Sequence, residues 1–179
     1  YRKKWEAVLK RDYVYGNSLI TRPYMIYKIK NGSHFTDWKR VWSGRKVLII
    51  EGERTRFGVG NDLLDNCKSV QRIIAPRTNA FSKYDEIKQA ILELNDDYLI
   101  LLALGPTASV LAYELSDSNH QLIDVGHLDL EYEWYRMNSK KKIPIPGKYV
   151  NEVFQKETEG NFSKQELDYY EKSIIKRIL

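Results

Sequence analysis

From Gly126 to Glu133 the chain reads Gly126-His127-Leu128-Asp129-Leu130-Glu131-Tyr132-Glu133, with an imidazole or a carboxylate at every second position. On an extended backbone, successive side chains point to opposite faces. His127, Asp129, Glu131 and Glu133 would then share one side, and Leu128, Leu130, Tyr132 and Trp134 the other. A helix would set residues two apart on nearly opposite sides, so convergence of all four requires the extended form. Three carboxylates on one face repel each other unless a cation, an arginine or a proton compensates them. Hard oxygen donors of this kind select Mg²⁺ or Mn²⁺, and a diphosphate can complete the coordination shell. An edge strand with a wet polar face would carry the same alternation, and the residues alone leave both readings open.

A second candidate is the run Glu51-Gly52-Glu53-Arg54-Thr55-Arg56-Phe57-Gly58-Val59-Gly60-Asn61. Glycines let backbone N–H groups approach a phosphate, two arginines can neutralise a diphosphate, and a helix expected over Asp62 to Lys68 would add its positive end. The glycine spacing is neither a dinucleotide fingerprint nor a Walker loop. A Gly-rich turn with solvated charges is the plainer alternative. A third candidate is Gly105-Pro106-Thr107, with Thr107 as an expected N-cap whose hydroxyl or amide could meet a ligand.

The elements that must position these loops follow from the patterning. Val47 to Ile50, Val70 to Ala75, Tyr98 to Leu104 and Gln121 to Val125 read as strands, and their apolar runs suit a sheet covered on both faces. Lys83 to Leu94 has Ile87, Ala90, Ile91 and Leu94 at helical spacing, and a helix from Thr107 to about Ser116 turns Val110, Leu111 and Leu115 inward. Helices are also expected around Trp5 to Lys10 and Phe35 to Trp42. Ser163-Lys164-Gln165-Glu166 is a capping box that opens a terminal helix to about Ile178. Strands and helices in alternation predict a single α/β domain over residues 1–179, Rossmann-like, with a mainly parallel sheet and helices on both faces. Ligands in such sheets bind outside the carboxyl ends of the strands, which is where all three loops fall.

Composition narrows the classes. The 179 residues are 42% hydrophobic and 30% charged, enough for one core, and no apolar run approaches the length of a membrane span. The chain begins at Tyr1 rather than Met, as expected of a piece of a longer polypeptide. The single Cys67 excludes an intrachain disulfide, fits a cytoplasmic setting, and reads as a packed thiol rather than a nucleophile. The formal charge of +5 suits an anionic partner, but the lysines and arginines are scattered rather than ranged along one face, which argues against nucleic acid. Thirteen Tyr and four Trp suit a carbohydrate or nucleotide site as well as a core edge.

Several blocks resemble, in order, the signature of the GT-D-type glycosyltransferases, a family first catalogued as a domain of unknown function. They are Thr21-Arg22-Pro23-Tyr24, Ile50 to Leu63, Asn79-Ala80-Phe81 with Lys83 to Ile87, Leu104-Gly105-Pro106-Thr107-Ala108, Asp124 to Trp134, and Pro146 to Val153. The resemblance implies a metal-dependent enzyme that uses a UDP-sugar, typically UDP-glucose, in bacterial surface glycan assembly, including O-glycosylation of adhesins. The family's Asp-x-Glu motif falls on Asp129-Leu130-Glu131, which the resemblance assigns to Mn²⁺ or Mg²⁺ held against the UDP diphosphate. The Gly-rich loop would wrap the nucleotide, with Arg56, Asn61 and Asp62 as polar contacts. Arg22, Glu51, Gly52, Gly58, Gly60, Asn79, Pro106, Thr107 and His127 fall in the matched blocks and are expected on the donor side; His127 and Lys148 are candidate phosphate contacts.

If transfer is a direct displacement, the acceptor glycan or glycopeptide hydroxyl must lose its proton. Glu152 is the first candidate base and Glu133 the second. Asp129, taken as lying on an exposed side, is expected to be dispensable for folding. Peripheral contact with a membrane is compatible with this reading. The alternative is a non-catalytic module that binds a nucleotide-sugar or sugar-phosphate. It could keep the metal–diphosphate site without an essential base.

Overall fold

The computed structural model describes residues 6, 9–10, 12–14, 16–28, 30–94, 97–153 and 159–179. The helix expected around Trp5 to Lys10 falls largely outside the described residues. Helix α1 (Ser33–Trp42) is followed by β1 (Lys46–Gly52), β2 (Ser69–Ala75), a short 3₁₀ turn (Ala80–Lys83) and α2 (Tyr84–Leu92). Then come β3 (Leu99–Ala103), α3 (Pro106–Glu114), β4 (Gln121–Asp124), α4 (Leu128–Arg136), α5 (Lys164–Ser173) and β5 (Ile174–Arg177). The five strands form one sheet in the order β4-β3-β1-β2-β5, and every pairing is parallel.

Strand alternation divides the core between the two faces. Val47 and Ile49 of β1 join Leu99 and Leu101 of β3 on one side, packed with Phe35, Trp42, Leu128 and Trp134. Leu48 and Ile50 join Ile100 and Leu102 on the other, against Ile87 and Ile91 of α2 and Ala108 and Leu111 of α3. Both faces of the central strands are therefore dry, which is why these runs read as continuous rather than alternating apolar sequence. Val110, expected inward, is exposed.

Because β2 leads across β1 to β3, the chain reverses its direction of travel between β1 and β3. In an open parallel sheet that reversal parts the loops at the carboxyl edge and leaves a crevice there.

Three expected elements differ. Residues 62–68 form turns rather than a helix; Cys67 is half-buried against the first core, where burial, helped by Asp65, pushes its thiol up to about 11. The terminal helix has its capping box, with the Ser163 hydroxyl accepting from Glu166 N–H at 3.2 Å, but it ends at Ser173. The β-branched pair Ile174-Ile175 then continues as β5 beside β2, and Ile178 N–H donates to Ile74 O at 2.8 Å. The acidic segment, expected as an extended strand, is helix α4.

A candidate active site at the carboxyl edge of the sheet

The loops that leave β1 to β4 enclose a cleft of about 840 Å³. Gly52 ends β1, with Thr55 and Phe57 beyond it; Arg77 and Asn79 follow β2; Gly105 and Pro106 follow β3; Asp124 ends β4, with Gly126, His127 and Asp129 beyond it. Arg22, Tyr149 and Asn151 close it from two other segments. Two helices, α3 and α4, begin at its wall. Gly105 caps α3 at φ 57° and ψ −142°, a conformation open essentially to glycine, and Pro106 occupies the first turn. Thr107 is therefore inside the helix and buried rather than its N-cap. Gly126 enters α4 at φ 47°, and a Cβ there would lie 2.7 Å from Thr21 Oγ1. Both turns bring the positive ends of helix dipoles to the cleft, where an anion is favoured.

The carboxylates of α4 do not share a face. Residues two apart on a helix are separated by about 200°, and Asp129 and Glu131 accordingly diverge. Glu131 turns away from the cleft and accepts from Tyr24 N–H at 2.9 Å and Met25 N–H at 2.6 Å. Asp129 lines the cleft, and its Oδ1 accepts from Gly58 N–H at 2.9 Å and Asn61 Nδ2 at 2.8 Å. Its Oδ2 lies 2.7 Å from Lys148 Nζ, which also approaches Glu133 Oε1 at 3.3 Å. Asp129 is 2% exposed, Glu131 0% and Glu133 6%. The period-two alternation therefore marks neither a metal-binding strand face nor a wet edge. It marks a helix with a buried acidic stretch, whose acids accept from three other segments while Glu131 Oε1 has no hydrogen-bond partner among the described residues.

Two expectations change with this. Asp129 is not on an exposed side, so its removal would leave a buried ammonium with only Glu133, 3.3 Å away, and cost stability. Glu133 is not among the residues lining the cleft, and neither is Glu152, which borders it through Arg22; Asn61 Nδ2 donates to Glu133 at 2.6 Å and Arg136 pairs with it at 3.4 Å. Among the described residues, no three His, Cys, Asp or Glu side chains converge as a metal-binding group. The expected metal pair diverges: Asp129 lines the cleft with both oxygens hydrogen-bonded, and Glu131 points elsewhere with its Oε1 buried and without a hydrogen-bond partner among the described residues.

The Gly-rich loop is likewise mostly structural. Glu51 is fully buried, 2.6 Å from Arg72 Nη1, and accepts from Phe57 N–H at 2.7 Å. Burial pushes its carboxyl up, against the opposing pull of Arg72 and that amide. It does not reach the cleft. Arg56, with φ 49°, donates to Gly147 O at 2.9 Å and stacks over Phe162. Gly58, Gly60, Asn61 and Asp62 line a separate hollow beside α5. Asp62 is held at about 2 by hydrogen bonds from Lys39 and the Tyr132 hydroxyl, each 2.6 Å away. From this loop only Gly52, Thr55 and Phe57 face the cleft.

Arg22, His127 and Glu152 do come together, from three distant parts of the chain. Arg22 Nη1 donates to Glu152 Oε1 at 2.8 Å and Nη2 donates to His127 Nδ1 at 2.9 Å. A guanidinium can only donate, so Nδ1 carries no proton. His127 Nε2 is then the protonated nitrogen and donates to Asn151 Oδ1 at 3.0 Å. Lys142 Nζ holds the second oxygen of Glu152 at 2.8 Å. Partial burial raises the Glu152 carboxyl, but the bonds from Lys142 and Arg22 outweigh it and the net displacement is downward.

Some cleft residues carried no signal in the sequence as read. Asp124 closes β4 and accepts from Gly126 N–H at 3.0 Å and Ser109 Oγ at 2.6 Å. Arg77 stacks over the Tyr149 ring at 4.9 Å. Asp124 was within reach of the rule that strand carboxyl ends bear ligands; the Arg77–Tyr149 pair depends on a tertiary approach that no local pattern announces.

Comparison with known proteins agrees with this architecture. Residues 1–153 match the family described as "Glycosyltransferase GT-D fold". The chain is 42% identical over 160 residues to "Probable glycosyl transferase Gly" of Streptococcus gordonii, covering 83% of this chain and 24% of that protein. It is 39% identical over 175 residues to "Glycosyltransferase GlyD" of Streptococcus pneumoniae serotype 4, covering 94% of this chain and 20% of that one. Thus it spans about a quarter or less of these curated relatives. Among solved structures, a glycosyltransferase of Streptococcus sanguinis superimposes with a TM-score of 0.88 at 35% identity, over 99% of this chain and 66% of the other. A structure described as a highly conserved domain of unknown function with a distinct glycosyltransferase fold gives 0.89 at 36%, over 99% and 64%. Among the described residues no helix is long and apolar enough to cross a membrane. In sequence and in fold alike, the chain belongs to the family of glycosyltransferases with the GT-D fold.

Proposed function

We propose that this domain transfers a hexose, with glucose the first candidate, from a UDP-sugar to a hydroxyl of a glycan or glycopeptide, at the cytoplasmic side of bacterial surface glycan assembly. The observation that carries this reading is the cleft itself. It lies at the switch point of a parallel sheet, with Arg22, Arg77 and the starts of two helices around one space. Such an arrangement suits a diphosphate. In this reading Arg22 and the α3 and α4 turns bind the diphosphate, and Asn79 and Tyr149 contact the remainder of the donor.

Mn²⁺ or Mg²⁺ belongs to the proposal through Asp129, with Glu131 acting behind it to fix the backbone at Tyr24 and Met25. A divalent ion bound there supplies a Lewis acid to a leaving diphosphate. Glu152 takes the proton of the acceptor hydroxyl as that oxygen bonds the anomeric carbon and the bond to UDP breaks. The test is a hydrolysis screen of UDP-sugars with and without Mn²⁺. UDP release that needs the metal is the expected result, and release from no UDP-sugar would end the proposal.

The pairing of Glu152 with two cations also suits a binding module without turnover. Glu152→Gln separates the two readings. It is expected to lower transfer by about 10²-fold or more without loss of UDP affinity. Wild-type transfer rates in that variant would remove Glu152 as base.

A further inference from the structure

Arg22 is engaged twice before any donor arrives. One nitrogen holds Glu152 at 2.8 Å and another holds His127 at 2.9 Å, while the side chain lines the cleft. A guanidinium has five donors in one rigid plane, and two of its directions are already spent on these partners. Glu152 is shared in turn, since Lys142 holds its second oxygen at 2.8 Å. His127 is anchored from its far side by Asn151 at 3.0 Å, so it stays when Arg22 moves.

We infer that Arg22 is a positioning residue that moves between two partners: it clasps Glu152 in the donor-free chain and turns to the donor's diphosphate when the cleft fills, releasing Glu152 to the acceptor. The inference rests on the UDP-sugar reading and adds an order to it, donor before acceptor. A carboxylate clasped by two cations is a weak base, as the downward displacement of Glu152 indicates. Losing one of them to the phosphates restores basicity only when there is a donor to attack. Premature deprotonation in an empty cleft is thereby suppressed.

A shared partner makes the two interactions compete, and competition has a sign that a static contact lacks. UDP with Mn²⁺, titrated calorimetrically, is the probe. Glu152→Gln is expected to tighten UDP binding roughly 5- to 10-fold, because Arg22 no longer leaves a charged partner to reach the phosphates. Lys142→Met is expected to act in the opposite direction, weakening UDP, because Glu152 then holds Arg22 alone. In an Arg22→Gln background, UDP binds more weakly and Glu152→Gln changes nothing further. Unaltered or weakened UDP binding in Glu152→Gln would overturn the inference, as would the same tightening without Arg22. Wild-type protein that does not bind UDP at all would strike the donor reading itself; binding wild type with an indifferent Glu152→Gln would strike only the exchange.

Discussion

Replacing Lys148 by Met is expected to lower the unfolding free energy by about 3–5 kcal/mol, read as a drop in the urea midpoint at unchanged slope. Lys148 is 1% exposed at its side chain and lies 2.7 Å from Asp129 and 3.3 Å from Glu133. Methionine is unbranched and only one heavy atom shorter than lysine, so packing changes little and the loss is mainly electrostatic. Two carboxylates would remain in the interior with only neutral donors and Arg136 at the edge to satisfy them. Against a typical total stability of about 5–15 kcal/mol, such a loss leaves the domain marginal. The effect also reaches function, because Asp129 tethers Gly58 and Asn61 to α4 and Lys148 holds Asp129. Restoring neutrality with Asp129→Asn in the same chain is expected to recover part of the loss. Full stability in Lys148→Met alone would show that the network is solvated in solution.

Arg72→Met carries the other large effect, also about 3–5 kcal/mol near neutral pH. Arg72 ties β2 to β1 through Glu51 at 2.6 Å and to the loop after β1 through Phe57 O at 2.9 Å, and its guanidinium lies over Tyr170 of α5. Without it, Glu51 is a fully buried carboxylate kept by the Phe57 amide alone. The sign with pH follows from the direction of its displacement. The folded-state value of Glu51 is raised above its unfolded one, so the stability linked to its protonated form is complete below the unfolded value. That stability is lost as pH rises through the folded one. Removing Arg72 takes away the main force opposing the rise. The variant is therefore expected to be more nearly wild-type at pH 5 than at pH 8 in thermal unfolding. Equal losses at both would mean that Glu51 is not the source. Glu51→Gln, which leaves a neutral hydrogen-bonding group, is expected to be milder than Arg72→Met at neutral pH.

Both positions explain how far the sequence could be read. The central strands β1 and β3 were legible because a parallel strand buried on two faces must be an unbroken apolar run, as Val47 to Ile50 and Leu99 to Leu102 are. The cleft was legible through the rule that ligands gather at strand carboxyl ends, which points to Gly52, Pro106, His127 and Asp129; Arg22 and Asn79, expected only from the family resemblance, lie there too. Charge was harder. Acids at alternate positions between Gly126 and Glu133 imitate a strand with a polar face, because the period counts polarity and knows nothing of donors elsewhere. Lys148 and Asn61, with the backbone at Tyr24, Met25 and Gly58, hydrogen-bond to those acids inside the fold, and that lets a helix bury them. Glu51 misled in the same way: its partner Arg72 sits within an apolar strand twenty-one positions away. Local pattern finds where a chain turns and what it buries; it does not find which distant cation has already claimed a carboxylate.

The most direct measurement is a calorimetric titration of UDP into the wild-type domain, in Mn²⁺ and again in chelator. Binding in Mn²⁺ that is lost or strongly weakened in chelator is the predicted result. Absence of UDP binding in both conditions would contradict the assignment of the cleft, and equal binding in both would remove the metal and Asp129's place beside it.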